Sequence, residues 1–305
     1  MLVSIVTATY NRAATLPTLY ASIAAQDVDV EWVVVDDGST DETPDLMTDL
    51  IRSSPFPIRH VRQPNRGKHT AVNQGVPLAR GDLIALIDSD DEVVPGGVAR
   101  LLARWHEIPS TRRDDFFGVV GRCVDDDERR IGDDFPGPAP VDCSWHDAVY
   151  VHRAMGDRSG LLRADILRAH PFPEPTGQNY VFEGMVWREI GCRYLTRYVD
   201  DPLVQVHTSG ADRLSRRRTG QMRRPVLQHY TAMLTKDLPW FRHAPTMFLR
   251  AAVQYARCSL GERVPLRRQV ADLPGPARIL WASALPLGTV LWLQDQRSSS
   301  AAGSR

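Results

Sequence analysis

Over its first hundred residues the chain alternates short, uninterrupted apolar runs with amphipathic stretches. Residues 2–7 are apolar and rich in β-branched side chains, which predicts a strand. Residues 15–26 place Leu16, Leu19 and Ile23 at helical spacing, with Thr15 as N-cap candidate and Pro17 in the first turn. The same reading predicts strands at 32–35, 58–62 and 83–87. It predicts helices at 43–51 and at 69–79, the latter in spite of Gly75 and Pro77. Continuous apolar strands separated by amphipathic helices predict an α/β fold, with a mainly parallel central sheet flanked by helices. Beyond residue 95 the pattern loosens. A helix is expected at 98–105, a strand at 116–123, and an acidic, then Gly- and Pro-rich loop at 125–140. A helix at 161–170, a second at 181–190 and a strand-like stretch at 194–206 follow. After Gly210 the composition turns to Arg-rich helix, so a boundary is placed there, with 211–305 as a helical appendage.

Composition narrows the options. The chain has 305 residues, 43% of them hydrophobic, enough to bury a core in one main domain plus an appendage. Its 37 basic residues balance its 37 acidic ones, so no global field draws it to nucleic acid. Cys123, Cys143, Cys192 and Cys258 form no C-x-x-C pair, which argues against a zinc ribbon or a disulfide scaffold and fits a reducing cytosol. The N-terminus lacks a basic stretch before its apolar run and reads as a strand, not a signal peptide. No run of about 18 or more apolar residues is present, so no clear membrane-spanning helix is expected.

In parallel sheets ligands bind beyond the carboxyl ends of the strands. Asp36-Asp37-Gly38-Ser39 and Asp88-Ser89-Asp90-Asp91 both stand at such ends, so both are expected to line one crevice. Three carboxylates within four residues repel one another, and a hard divalent cation bridging to a diphosphate relieves that cost. A solvated acidic turn is the alternative. Asp37 could accept from a base or a ribose hydroxyl, or could only cap the next helix. In Asn65-Arg66-Gly67-Lys68-His69, Gly67 permits close backbone approach and Lys68 offers a point charge to phosphate. A basic loop with an N-cap accounts for the same residues. Glu183, among Val181, Phe182, Met185, Val186 and Trp187, is expected to have a raised pKa suited to a general base. Spacing alone favours a surface glutamate in a helix's first turn. His207 ends a strand and could be a metal ligand or a structural residue.

Taken together these segments resemble family 2 glycosyltransferases of the GT-A fold. The resemblance is carried by Ser4-Ile5-Val6-Thr7-Ala8-Thr9-Tyr10-Asn11-Arg12, by Val33-Val34-Val35-Asp36-Asp37-Gly38-Ser39, by Gly67-Lys68-His69-Thr70-Ala71-Val72-Asn73 and by Leu86-Ile87-Asp88-Ser89-Asp90-Asp91, in that order. It covers residues 2–210 and implies a catalytic domain there, with a nucleotide-binding half, 1–95, and an acceptor-binding half, 96–210. The resemblance implies that Thr9, Tyr10 and Arg12 border the nucleotide, that Asp37 bonds the base, and that Lys68 lies near the diphosphate. Asp88, Asp90 and Asp91 would divide contacts to the ribose and the metal, with Asp88 on the nucleotide sugar and Asp90 and Asp91 on Mg²⁺ or Mn²⁺. His207 matches the histidine that some such enzymes use as a further metal ligand. Glu183 falls where many members carry an acidic pair; here the pair reads Glu183-Gly184, which leaves Glu183 as the base. The segment Glu183-Gly184-Met185-Val186-Trp187 resembles an E-x-x-V-W subgroup. The implied activity is inverting transfer from a nucleotide-diphosphate sugar, a UDP-sugar by preference.

In the appendage, Arg216–Arg218 and Arg223-Arg224 precede residues 247–260, an amphipathic helix, and 279–293, a Trp- and Leu-rich run that Pro286 and Gly288 are expected to interrupt. Basic residues beside such a run suit a membrane interface, though a helical cap on the domain would bury the same residues. Similar tails occur in the subgroup, which implies a lipid-linked or polysaccharide acceptor at the inner face of the cell membrane. Residues 298–305 are expected to be a disordered tail. Two other classes compete. A sugar nucleotidyltransferase would usually show a glycine-rich loop where Thr9-Tyr10-Asn11-Arg12 stands. A non-catalytic nucleotide-sugar-binding protein would keep Asp37 and Asp90 but would not need Glu183.

Overall fold

The computed structural model describes residues 1–207 and 223–302, and the chain divides into two compact units, Met1–Gly210 and Ala211–Arg305. The expected basic cluster Arg216–Arg218 and the boundary near Gly210 lie outside the described residues. In the first unit nine strands form one sheet: β1 Val3–Thr9, β2 Val30–Asp36, β3 Ile58–Arg62, β4 Leu83–Leu86, β5 Asp91–Val93, β6 Phe116–Val124, β7 Val141–Cys143, β8 Arg158–Arg163 and β9 Leu195–Val206. Their order is β3-β2-β1-β4-β8-β6-β9-β5, with β7 beside β9. The first four are parallel; β1, β2 and β4 are buried on both faces as such strands require, while β3 is a half-buried edge strand. The rest of the sheet is mixed: β8 runs antiparallel to β4 and β6, and β9 runs parallel to β6 but antiparallel to β5 and β7.

Six helices cover both faces: α1 Leu16–Ala24, α2 Thr43–Ser53, α3 Lys68–Gly75, α4 Gly97–His106, α5 Ala164–Ala169 and α6 Gly184–Ile190. Alternating strand residues sort them. Ile5, Trp32 and Val34 pack with Leu19, Met47 and Leu101 from α1, α2 and α4. Val6 and Val33 pack on the other face with Val72, Leu167 and Val186 from α3, α5 and α6. The loops at the carboxyl ends of these strands therefore leave a doubly covered core.

Several expectations change. Residues 161–163 belong to strand β8 rather than to a helix, and only 164–169 are helical. Leu161 and Leu162 are both buried, and two adjacent apolar residues fit a buried strand as well as a helix. The helix expected at 69–79 ends at Gly75 and continues as a 3₁₀ turn at Val76–Leu78, where Pro77 has no N–H to give. The helix expected at 181–190 starts only at Gly184. Asp91 closes the turn that starts at Asp88, donating its N–H to the Asp88 carbonyl at 3.2 Å, and also opens the short strand β5, with Val206 as its partner.

Among its described residues the second unit is helical: α7 Arg223–Lys236, α8 Pro245–Gly261, α9 Leu266–Ala271 and α10 Gly275–Ala302. Pro286 and Gly288 do not interrupt α10. Gly288 instead sits so close to α8 that a Cβ there would lie 2.7 Å from Ala256 Cβ and 2.9 Å from the Val253 carbonyl. The two helices are also tied by the Arg257–Asp295 ion pair at 2.6 Å, and Trp281 donates to Gln269 of α9 at 3.0 Å. Residues 298–302, expected as disordered tail, continue the helix. Contrary to the expectation of no spanning segment, Gly275–Ser298 is long and apolar enough to cross a membrane by length and composition.

Candidate active site

The carboxyl ends of β1, β2 and β4 release three loops that are clipped together. Asn11 donates its backbone N–H to Ser39 Oγ at 2.9 Å, and its side-chain oxygen accepts from the Thr40 N–H at 2.8 Å. The Arg12 and Ala13 amides donate to Thr43 Oγ1 and to the Asp41 carboxylate. Thr15 Oγ1 donates to the Ser89 carbonyl at 2.8 Å, which ties the first loop to the Asp88–Asp91 turn. Thr9, at the end of β1, is buried, and its hydroxyl meets no hydrogen-bond partner among the described residues. Tyr10 beside it is exposed.

The two aspartates at the end of β2 are both buried. Asp36 accepts from the Ser39 N–H at 2.7 Å and faces Arg62 at 3.4 Å. Asp37 is buried and accepts three hydrogen bonds, from Gln63 Nε2 at 2.7 Å, the Arg66 N–H at 2.8 Å and the Gly67 N–H at 2.7 Å. Its carboxylate thus holds the 63–67 loop. Gln63, which no sequence signal singled out, also donates to Thr70 of α3. The crevice is shared through this loop rather than by direct convergence of Asp37 with Asp88–Asp91.

The residue after Gly67 makes the central contact. The Lys68 ammonium lies 2.6 Å from Asp88 and 2.8 Å from Glu183. Burial alone would lower its pKa, but the two carboxylates outweigh that and hold it well above the usual lysine value. Arg12 stands 3.7 Å from Asp90. Each of these two carboxylates at the turn therefore already faces a side-chain cation.

Glu183 reaches Lys68 because α3 and the segment before α6 are locked together. Asn73 of α3 accepts from the Phe172 N–H and donates to the Phe172 carbonyl, both at 2.8 Å. A Cβ on Gly67 would lie 2.2 Å from the Asn179 carbonyl oxygen, so the two backbones touch. The expected apolar setting for Glu183 is not what the fold builds. Val181 and Val186 turn into the core, while the Glu183 carboxylate is exposed beside a cation.

His207 turns both ring nitrogens to carboxylates, Nε2 to Glu92 at 2.6 Å and Nδ1 to Asp126 at 2.5 Å. Burial would lower its pKa, but these hydrogen bonds outweigh it and raise the pKa above the usual histidine value. Both ring nitrogens are thus engaged by carboxylates, so His207 could ligate a metal only by releasing one of them. Among the described residues no three His, Cys, Asp or Glu side chains are gathered as a metal-holding set. Asp88 and Asp90 offer carboxylate oxygens, the donors that Mg²⁺ and Mn²⁺ prefer. Glu92 and Asp126 were missed, although Asp126 lies in the acidic loop expected at 125–140; pairing of β5 with β9 brings Glu92 to His207, and pairing of β6 with β9 brings Asp126.

Known proteins resemble this chain in part. Residues 4–150 match glycosyl transferase family 2. The succinoglycan biosynthesis protein ExoO of Rhizobium meliloti is 43% identical over 105 residues, 33% of this chain and 29% of that protein. The GalNAc(5)-diNAcBac-PP-undecaprenol beta-1,3-glucosyltransferase of Campylobacter jejuni is 28% identical over 137 residues, 44% of this chain and 42% of that protein. The chain spans about a third of the length of the curated relatives it matches. S. aureus TarS 1–349 in complex with UDP-GlcNAc superposes with a TM-score of 0.60 at 16% identity, over 98% of this chain and 92% of that one. Mannosyltransferase PcManGT from Pyrobaculum calidifontis, in complex with GDP-Man and Mn²⁺, gives 0.57 at 18% identity, over 96% and 87%. These likenesses establish the fold as GT-A.

Proposed function

We propose that this chain, whose residues 4–150 belong to glycosyl transferase family 2, transfers a sugar from a nucleotide-diphosphate donor to a hydroxyl acceptor with inversion at the anomeric carbon. One observation carries the reading. Lys68 stands between Asp88, on the turn where the nucleotide sugar would bind, and Glu183, on the segment facing the acceptor. A cation beside the departing diphosphate and a carboxylate across from it are the two groups that single displacement needs. Glu183 is assigned as the base that removes the acceptor proton. Thr9, Tyr10 and Arg12 border the nucleotide, and Lys68 and Asp88 meet the diphosphate and the sugar. Asp37 contributes by fixing the loop that presents Lys68.

Asp90 and Asp91 are the residues that would hold a divalent ion, with His207 able to join only by giving up one carboxylate. When bound, the ion supplies Lewis-acid neutralisation of diphosphate charge. The donor is UDP-linked in this reading, as in the TarS complex. Stabilisation by a ligand at a hundred times its Kd is about 2.7 kcal/mol, readily seen in thermal unfolding. UDP-sugars with Mn²⁺ or Mg²⁺ are therefore expected to raise the unfolding temperature, and EDTA to remove that rise. A shift that survives EDTA unchanged would remove the metal from the proposal.

The acceptor assigned is a lipid-linked or polysaccharide intermediate, supported by the names of the Campylobacter and Rhizobium relatives. The reaction is placed at the cytoplasmic face of the membrane. In α10, Ile279, Leu287, Val290 and Leu293 are exposed on one side of the helix, with Arg267, Arg268 and Arg278 exposed at and before its start. That combination suits a peripheral contact with an anionic bilayer. Co-sedimentation with vesicles containing phosphatidylglycerol should fall about tenfold in an Ile279→Asp, Val290→Asp double variant. Equal sedimentation of both proteins would rule out this surface.

A further inference from the structure

A lysine ammonium has three N–H donors and no acceptor. In Lys68 two carboxylates lie within hydrogen-bond reach of it, Asp88 at 2.6 Å and Glu183 at 2.8 Å, with about a third of the side chain exposed. The function proposed above asks this ammonium to meet a diphosphate and asks Glu183 to take a proton. In the observed geometry those demands oppose each other. The ammonium donates to Glu183 Oε1 at 2.8 Å and so occupies a carboxylate oxygen that the acceptor's proton would need. The carboxylate in turn competes with a diphosphate for the cation. Neither group can simply move aside as a segment, because Gly67 is packed on the Asn179 backbone and Asn73 clamps Phe172. The adjustment is left to the side chains.

We propose that Lys68 is a contested cation: a bound diphosphate draws it away from Glu183, and this transfer of the ion pair is what frees Glu183 to accept the acceptor's proton. The inference rests on Glu183 as base and Lys68 as diphosphate contact, and adds that the two are coupled. A diphosphate carries more charge than one carboxylate and offers several oxygens, so it wins the ammonium. No bond is made or broken in this step; the ammonium keeps its protons and exchanges one anionic partner for another. The base is thereby armed only when the leaving group is in place, which disfavours productive acceptor binding ahead of the donor.

The test is calorimetric binding, without acceptor, of UDP, GDP and inorganic pyrophosphate to the full chain. Wild type, Glu183→Gln, Lys68→Met and the double variant are compared, with Lys68→Gln in place of Lys68→Met if the latter does not fold. Removing the competing carboxylate should tighten binding of at least one probe roughly two- to fivefold, the scale of one part-exposed ion pair. That gain should vanish when Lys68 is also replaced, which a purely structural effect of Glu183 would not require. Equal affinity in wild type and Glu183→Gln overturns the proposal, as does the same gain in both backgrounds, or no binding of any probe to Glu183→Gln. Turnover separates the two readings. Loss of turnover with unchanged affinity removes the coupling and leaves Glu183 as base. Tighter binding with wild-type turnover removes the base assignment, and with it the arming of Glu183.

Discussion

Glu183→Gln is expected to lower turnover about 10²–10⁴-fold without weakening nucleotide-sugar binding, the range that a positioned general base contributes. Glutamine keeps the size and the hydrogen-bonding reach of glutamate but cannot accept a proton at neutral pH. The start of α6 does not depend on the carboxylate, since the Val186 and Trp187 amides bond to the Glu183 backbone carbonyl at 2.9 and 3.2 Å. The lost ion pair with Lys68 is part-exposed on both sides, so its contribution to stability is at most about 1 kcal/mol. The variant should therefore unfold near the wild-type temperature, and its lost activity can be read as lost chemistry. The measurement is single-turnover transfer with donor saturating. A variant that turns over as fast as wild type would move the base to another residue and leave Glu183 as a surface partner of Lys68.

Gly67→Ala is the second large effect expected, and it acts on geometry rather than on a reacting group. Gly67 has φ +99°, where a side chain is strained, and its Cβ would stand 2.2 Å from the Asn179 carbonyl oxygen. The contact on both sides is backbone, which cannot rotate away. The 64–68 loop must shift, and with it the Asp37 hydrogen bonds to the Arg66 and Gly67 amides. A strained non-glycine residue costs about 1–3 kcal/mol, which for a unit of this size corresponds to a fall in Tm of roughly 3–10 °C. Displacing Lys68 and the facing segment by about 1 Å should lower kcat/KM by about a hundredfold even where the protein remains folded. Circular dichroism melting and steady-state transfer on the same preparation test both halves. Unchanged Tm and unchanged kcat/KM together would mean that the loop and the Asn179 segment are not held against each other in solution.

The pattern of the chain carried much of this. The apolar runs that became β1, β2 and β4 have one face against each layer of helices, a requirement local in sequence and therefore visible in it. Where two readings bury the same residues, the sequence could not choose. Leu161 and Leu162 suit a strand or a helix, and pairing with β4 and β6 decided for the strand. Pro286 and Gly288 signal a break in an isolated helix, yet packing of Gly288 on α8 let α10 continue. The site followed the same division. Carboxylates at strand ends, a lysine after a glycine and a glutamate near position 183 were all present in the sequence as candidates.

Periodicity and strand-end position thus determined the doubly covered parallel half-sheet and which residues could carry chemistry, because both follow from the alternation of buried and exposed positions along a single element. Only the tertiary structure decided their partners. It turned Asp37 inward onto the 63–67 loop, engaged His207 with Glu92 and Asp126, and set Lys68 against Glu183, 115 residues away in the chain. An ion pair forms where loop closure and strand order bring two side chains within a few ångströms, and that distance is fixed by the packing of the whole unit rather than by any residue's neighbours in sequence.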